Sequence, residues 1–179
     1  GSRLFGIQAP SERDRVHTFS IRKPLGVAGL ITPWNFPLSI PAWKTAPALI
    51  CGNSVILKPA SLAPLCAWRM VEALDEAGLP KGVINFVAGP GGEVGNALLE
   101  APGLKAISFT GSCQTGNLLH EAAARRRLRV QLEMGGKNPS IILNDADLQT
   151  AVETTINGAF FATGQRCTAT SRAIVEDGI

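Results

Sequence analysis

Charge is scarce in this sequence. Asp, Glu, Lys and Arg make up only 17% of its 179 residues, against about 25% in an ordinary soluble domain. The scarcity implies that part of this surface is covered in the complete molecule. The 17 cations exceed the 14 anions by a net +3, a surplus too small to argue for nucleic acid as a partner. An apolar content of 45% excludes an intrinsically disordered chain.

Other absences narrow the class further. No uninterrupted apolar run approaches the roughly 18 residues a membrane span needs. The first residues lack the charged, apolar and cleavage regions of a signal peptide, and Gly1-Ser2 reads as a cloning remnant. Four cysteines (Cys51, Cys66, Cys113, Cys167) and two histidines (His17, His120) form no CxxC and no HxxxH, which argues against zinc or any other bound metal. Wide, irregular cysteine spacing in an unexported chain predicts reduced thiols and a cytoplasmic location. At least one thiol is then free for chemistry. The one basic run, Arg125-Arg126-Arg127 with Arg129, reads either as a phosphate patch or as the solvated end of a helix, the second being the simpler reading.

What is present is an alternation. Residues 1–23 are polar and of mixed charge, with an exposed strand over Val16–Ile21. Apolar strands are predicted at Val27–Ile31, Ser54–Leu57, Val83–Val87, Ala106–Phe109 and Val130–Leu132. Helices are predicted at Ser39–Cys51, Ala63–Ala77 (with Leu65, Met70, Leu74 and Ala77 near one face), Glu93–Leu99 and Ser112–Ala124. Strands that alternate with amphipathic helices predict an α/β fold, a doubly wound parallel sheet covered on both faces, with ligands at the carboxyl ends of the strands. After Glu133 a second unit opens. It has a strand over Asn138–Leu143, a helix capped by Asp145 or Asp147 and running to about Ala162, a loop through Cys167, and a strand at Ala173–Val175. The predicted division is an arm over 1–23, a cofactor domain over 24–133 and the start of a catalytic domain over 134–179.

Four stretches carry side chains suited to chemistry. In Pro33-Trp34-Asn35-Phe36-Pro37, two prolines fix the backbone around one amide, which reads as a preorganised oxyanion donor or as a plain Pro-Asn turn. Phe109-Thr110-Gly111-Ser112-Cys113-Gln114-Thr115-Gly116 passes from strand to helix. Glycine and a helix N-terminus there suit a phosphate, although the stretch is neither GxGxxG nor a Walker loop and could be only a tight turn. Glu133 ends a strand before Gly135-Gly136, as a general base that must reorient would, or as a surface carboxylate before a turn. Cys167 lies in a polar loop beside Arg166, which would favour a thiolate if it faced the sulfur. Cys51 and Cys66 lie in apolar helical contexts that predict core positions. An ordinary thiol is only about 3% ionised at neutral pH, so a nearby carboxylate base would help it attack. A thiol, a base, an oxyanion donor and a dinucleotide site together point to oxidation of a carbonyl through a thioester.

The ordered motifs TPWNFP, KPAS, FTGSCQTG, LEMGGKNP and FATGQRCTATSR resemble the aldehyde dehydrogenase superfamily from about Arg15 to the C-terminus. Among its branches the chain is most similar to bacterial succinate-semialdehyde and 2-oxoglutarate-semialdehyde dehydrogenases. The resemblance implies a Rossmann-like cofactor domain and NAD(P)-dependent oxidation of an aldehyde, read as a semialdehyde, to an acid. It implies Cys167 as nucleophile, Glu133 as general base for the thiol and then for water, and Asn35 as oxyanion donor with the Cys167 N–H. It implies that Ile31, Thr32, Pro33 and Trp34 line the cofactor cleft, with Lys58, Pro59, Ala60 and Ser61 near the adenosine ribose. Gly91 and Gly95 would lie beside the adenine, Gly111, Ser112 and Gly116 in the pyrophosphate turn, and Met134 beside the nicotinamide. Residues 15–23 match part of an arm through which members form homo-oligomers.

Two departures bear on function. Many NAD-preferring members carry a glutamate three residues after the lysine, where this chain has Ser61, so the resemblance implies that NADP is accepted alongside or ahead of NAD. Members of the family are also much longer, which predicts that this chain alone is weakly active or inactive; an assembly or cofactor-binding fragment is the alternative to an enzyme. Glu133 argues against the CoA-acylating branch, and the lack of a histidine near Cys167 in the sequence argues against a cysteine hydrolase. Trp43, Phe160 and Phe161 read as core or entrance lining.

Overall fold

The computed structural model describes residues 3–179, so the reading of Gly1-Ser2 lies outside the described residues. Strands β1 (Gln8–Ala9) and β2 (Thr18–Phe19) pair antiparallel in an exposed arm. The strand expected over Val16–Ile21 is thus reduced to two residues, because the arm has no apolar surface to lie on.

The sheet begins with β3 (Val27–Ile31), followed by α1 (Ser39–Ile50), β4 (Ser54–Lys58), α2 (Pro64–Glu76) and β5 (Ile84–Phe86). The chain then crosses through α3 (Gly91–Glu100) to β6 (Leu104–Gly111), α4 (Cys113–Arg125) and β7 (Arg129–Met134). The five strands are all parallel in the order β5-β4-β3-β6-β7. Successive side chains of a strand face opposite ways, and both sets are covered. Ala28 and Leu30 pack with Val55, Leu57 and Ala67 beneath α1 and α2, while Val27 and Ile31 pack with Ile107, Phe109, Leu98 and Leu119 beneath α3 and α4. The predicted doubly wound α/β sheet is therefore present. Its strand order reverses between β3 and β6, where such folds open a crevice at the carboxyl ends.

Several local expectations are corrected. α2 buries Ala67, with Met70, Val71 and Leu74 half-buried, while Leu65 and Ala77 are exposed. A small residue at the contact lets the helix lie close to the sheet and turns its neighbours outward. For the same reason Cys66 is exposed rather than core, and Cys51 is only half-buried at the end of α1.

Beyond β7 lie β8 (Asn138–Ile142), α5 (Leu148–Phe160), a 3-10 turn at Phe161–Gly164 and β9 (Thr170–Val175), with β8 and β9 parallel. Asp147, not Asp145, caps α5, accepting from the Thr150 N–H at 2.8 Å. The helix stops at Phe160, short of the expected Ala162, because Ala162 and Thr163 adopt left-handed angles (φ 52° and 55°). α5 buries no residue among those described. Phe160 and Phe161 are exposed, so neither is core, and Trp43 is 70% exposed. Among the described residues no helix is long and apolar enough to cross a membrane, and no group of three or more His, Cys, Asp or Glu could hold a metal.

Candidate active site

The loop that carries Cys167 is held from three directions. Asn35 donates through Nδ2 to the Gln165 carbonyl at 2.9 Å. Asn138, at the start of β8, donates through Nδ2 to the carbonyls of Cys167 at 2.7 Å and Ala169 at 3.1 Å. Arg166 donates through Nη2 to the carbonyls of Gly158 at 2.8 Å and Asn157 at 3.2 Å, and its guanidinium lies 5.0 Å from the centre of the Phe161 ring. These clamps oppose the left-handed strain at Ala162 and Thr163, conformations that cost a non-glycine residue about 1–3 kcal/mol each. They also correct the reading of Arg166. Its guanidinium is committed to the end of α5, and no hydrogen bond runs from it to the sulfur among the described residues. Adjacency in sequence does not bring it to bear on Cys167.

Cys167 and Glu133 line one cavity of about 580 Å³, with Lys44, Ser108, Gln131 and Trp43 also in its wall. Lys44 reaches it from α1, buried to 9% exposure. Its Nζ donates to Ser108 Oγ at 2.7 Å and to Gln131 Oε1 at 2.8 Å. Gln131 Nε2 in turn donates to Glu133 Oε1 at 2.8 Å. Burial pushes the Lys44 ammonium down to about 8, and the Glu133 charge only partly offsets that. Asn35 is not part of this lining and reaches the Cys167 loop only through Gln165; among the described residues its second amide hydrogen has no partner.

A second cleft, of about 690 Å³, opens at the carboxyl ends of β3 and β6. Ile31, Thr32, Pro33, Trp34, Lys58, Ala60, Gly91, Gly95, Gly111 and Ser112 all line it. Pro59 and Ser61 instead line a separate hollow of about 430 Å³ with Gly89 and Pro90. The Ser61 hydroxyl donates to the Gly89 carbonyl at 2.8 Å. Gly116 and Met134 lie outside the cleft lining: Gly116 is buried beneath Met134, and a Cβ there would collide with the methionine sulfur. Ser112 caps α4, accepting from the Thr115 N–H at 3.2 Å. The first N–H groups of such a helix have no internal partners and suit an anion. Lys58 is 4% exposed and donates to the Pro59 carbonyl at 3.0 Å; burial lowers its pKa. Thr32, 3% exposed, has a hydroxyl with no hydrogen-bond partner among the described residues. An orphaned hydroxyl, a lysine and a helix N-terminus around one crevice fit a dinucleotide.

The sequence model of the aldehyde dehydrogenase family matches residues 2–179. The chain belongs to this family. It is 52% identical over 179 residues to alpha-ketoglutaric semialdehyde dehydrogenase of Bacillus subtilis, covering 100% of this chain and 37% of that protein. The chain thus spans little more than a third of the length of such relatives. Among solved structures, betaine aldehyde dehydrogenase from Staphylococcus aureus in complex with NAD+ superimposes with a TM-score of 0.92 at 41% identity, covering 97% of this chain and 34% of that one. An NADP-dependent enzyme of E. coli superimposes with a TM-score of 0.95 at 41% identity, covering 99% of this chain and 37% of that one.

Within this chain, sequence reasoning passed over Lys44, Ser108, Gln131 and Asn138. A signal for Lys44 existed: it is the one charged side chain in the apolar stretch Ser39–Ile50, and a lone buried lysine needs partners. Gln131 sits two residues before Glu133 on β7, hence on the same side of the strand. Nothing local marked Ser108 or Asn138, whose roles depend on contacts across the fold.

Proposed function

We propose that the protein containing this chain oxidises an aldehyde, best read as a semialdehyde, to a carboxylic acid with NAD or NADP, through a covalent intermediate on Cys167. The observation that carries the proposal is the single cavity shared by Cys167 and Glu133, beside a loop tied to Asn35. In this reading Glu133 takes the thiol proton and the sulfur attacks the carbonyl carbon. The free amide hydrogen of Asn35 and the Cys167 N–H stabilise the oxyanion, a contribution of about 3 kcal/mol for one such donor. Residues 24–133 hold the cofactor: Thr32, Lys58 and Ser112 meet its polar groups, and Ile31, Pro33 and Trp34 its apolar flank. A bound nicotinamide supplies the hydride acceptor. Glu133 then gives up the thiol proton to solvent and takes one from water, whose attack cleaves the thioester, and the departing sulfur recovers a proton from Glu133 to restore the thiol. Residues 134–179 open the catalytic domain, and the exposed apolar residues of the arm, Phe5, Ile7, Phe19 and Ile21, suit assembly into a homo-oligomer. Four free thiols suit a cytoplasmic location.

The test is turnover. The full-length protein, given 2-oxoglutarate semialdehyde and either cofactor, is expected to form reduced cofactor and acid in equal amounts. Formation of acid without cofactor reduction would point to other chemistry.

Cofactor choice is tested at Ser61, which follows the cleft residue Ala60 but itself lines the neighbouring hollow. A neutral hydroxyl does not repel a 2′-phosphate, so NADP is accepted. Ser61→Glu is expected to raise the KM for NADP by at least tenfold while moving that for NAD by less than about threefold. Two like unit charges 4 Å apart cost about 1 kcal/mol in water and about 4 kcal/mol at a surface dielectric of 20. Equal KM values for NADP in parent and variant would remove Ser61 from the recognition of the ribose.

A further inference from the structure

Glu133 ends β7 immediately before Met134 and the Gly135-Gly136 turn, and its side chain is exposed. Such a carboxylate has several rotamers open to it, and only some place it near the sulfur. Among the described residues it has a single hydrogen-bond partner, Gln131 Nε2 at 2.8 Å, and no ion pair. The question is what fixes the direction of that amide.

The answer lies on its other end. Gln131 Oε1 accepts from Lys44 Nζ at 2.8 Å and also contacts Ser108 Oγ, while Lys44 itself donates to Ser108 Oγ at 2.7 Å. An ammonium has only donors. Turning the amide over would set its NH2 against the Lys44 ammonium and its carbonyl oxygen against the Glu133 carboxylate, so both contacts would become repulsive. Lys44 is rooted in α1 and Ser108 in β6, elements packed on the same sheet. The orientation of Gln131 is therefore set by side chains from α1 and β6 rather than by β7 alone.

We propose that Gln131 is a positioning residue that holds the Glu133 carboxylate by Oε1 at the wall of the Cys167 cavity, leaving Oε2 to take the proton. This inference rests on the reading of Glu133 as general base. Lys44 and Ser108 orient the amide, and the amide orients the carboxylate. The titratable groups facing the cavity are Lys44 from α1, Glu133 from β7 and Cys167 from the loop before β9.

The experiment uses the full-length protein and four variants: Gln131→Ala, Gln131→Glu, Glu133→Gln and the double variant Gln131→Ala/Glu133→Gln. A base displaced by about 1 Å loses up to about a hundredfold in rate, so Q131A is expected to lower kcat roughly 10- to 100-fold. The KM values for aldehyde and cofactor are expected to stay within about twofold, since no binding contact is removed. Gln131→Glu keeps the acceptor for Lys44 and Ser108 but cannot donate to Glu133. It is expected to lose kcat as well and to move the acid limb of the kcat profile to higher pH, because a second carboxylate then faces the first. A residue that only filled space or held Lys44 would tolerate this change. In the Glu133→Gln background, Q131A is expected to cost nothing further, as two residues acting through one step are not additive.

Parent-like kcat in both Gln131 variants, or an undiminished Q131A effect on top of Glu133→Gln, would overturn the proposal. Should Q131A fail to fold, Q131E decides alone. Full turnover by Glu133→Gln itself would instead overturn the general-base reading, so the two failures are distinguishable.

Discussion

Replacing Cys167 with serine in the full-length protein is expected to lower aldehyde turnover by at least about a thousandfold, the scale on which loss of a covalent nucleophile is felt. The substitution removes little else. The bonds that hold the loop run to backbone carbonyls, from Asn138 to residues 167 and 169 and from Asn35 to Gln165, and a serine leaves each in place. Arg166 likewise grips α5 and not the sulfur. The cleft proposed to hold the cofactor lies elsewhere, around Thr32, Lys58 and Ser112, so the affinity for NAD(P), measured by calorimetric titration, is expected to change by less than about twofold. The change is thus confined to one atom, from a soft and strongly nucleophilic sulfur to a hydroxyl oxygen that the same base activates poorly. Cys66→Ser is the natural control, since that thiol is exposed on α2 away from either cavity. Steady-state production of reduced cofactor reads both. A Cys167→Ser protein that oxidised aldehyde at the parent rate would leave no place for a thioester, and the proposed mechanism would have to be abandoned.

The parts of this molecule that sequence alone made legible share a physical cause. Strands β3, β4 and β6 are buried on both faces, so they read as short apolar runs that no loop would tolerate. Pro33 and Pro37 fix the backbone of the turn that carries Asn35, and Ser112 is a residue type that caps a helix, as it does at the start of α4. Side-chain partnerships were not legible, because they join distant parts of the chain. Asn35 meets the Gln165 carbonyl 130 positions away, and Lys44 meets Ser108 64 positions away. Neighbourhood in sequence misled in the opposite sense at Arg166, which lies next to Cys167 in the chain and is held elsewhere by Gly158 and Phe161. Cys66 shows a third limit. Local apolarity says that α2 packs against something, but it does not say that Ala67 rather than its neighbours makes the contact. The size of that one side chain, set against the sheet, settles which residues face out.

Glu133→Gln separates the two tasks assigned to the carboxylate. Glutamine keeps the length of the side chain and keeps an oxygen that can accept from Gln131 Nε2, the bond that measures 2.8 Å in the parent. Geometry is then conserved while basicity is lost, so the effect reads proton transfer, which contributes about 10²- to 10⁴-fold when a placed side chain performs it. Steady-state kcat is expected to fall by at least about a hundredfold. The distribution of the loss is more informative than its size. A thiol ionises to a small extent unaided, whereas neutral water is a poor nucleophile without a base, so hydrolysis of the thioester should suffer more than its formation. Rapid mixing of the variant with aldehyde and cofactor is therefore expected to give close to one reduced cofactor per site, followed by near arrest. Intact-mass measurement on the arrested protein is expected to show one acyl group, and peptide mapping to place it on Cys167. Raising the pH should restore part of the slow phase, because hydroxide then substitutes for the missing base. An unchanged steady-state rate would show that water is activated by some other group, and the exposed carboxylate at the end of β7 would lose its role in the reaction.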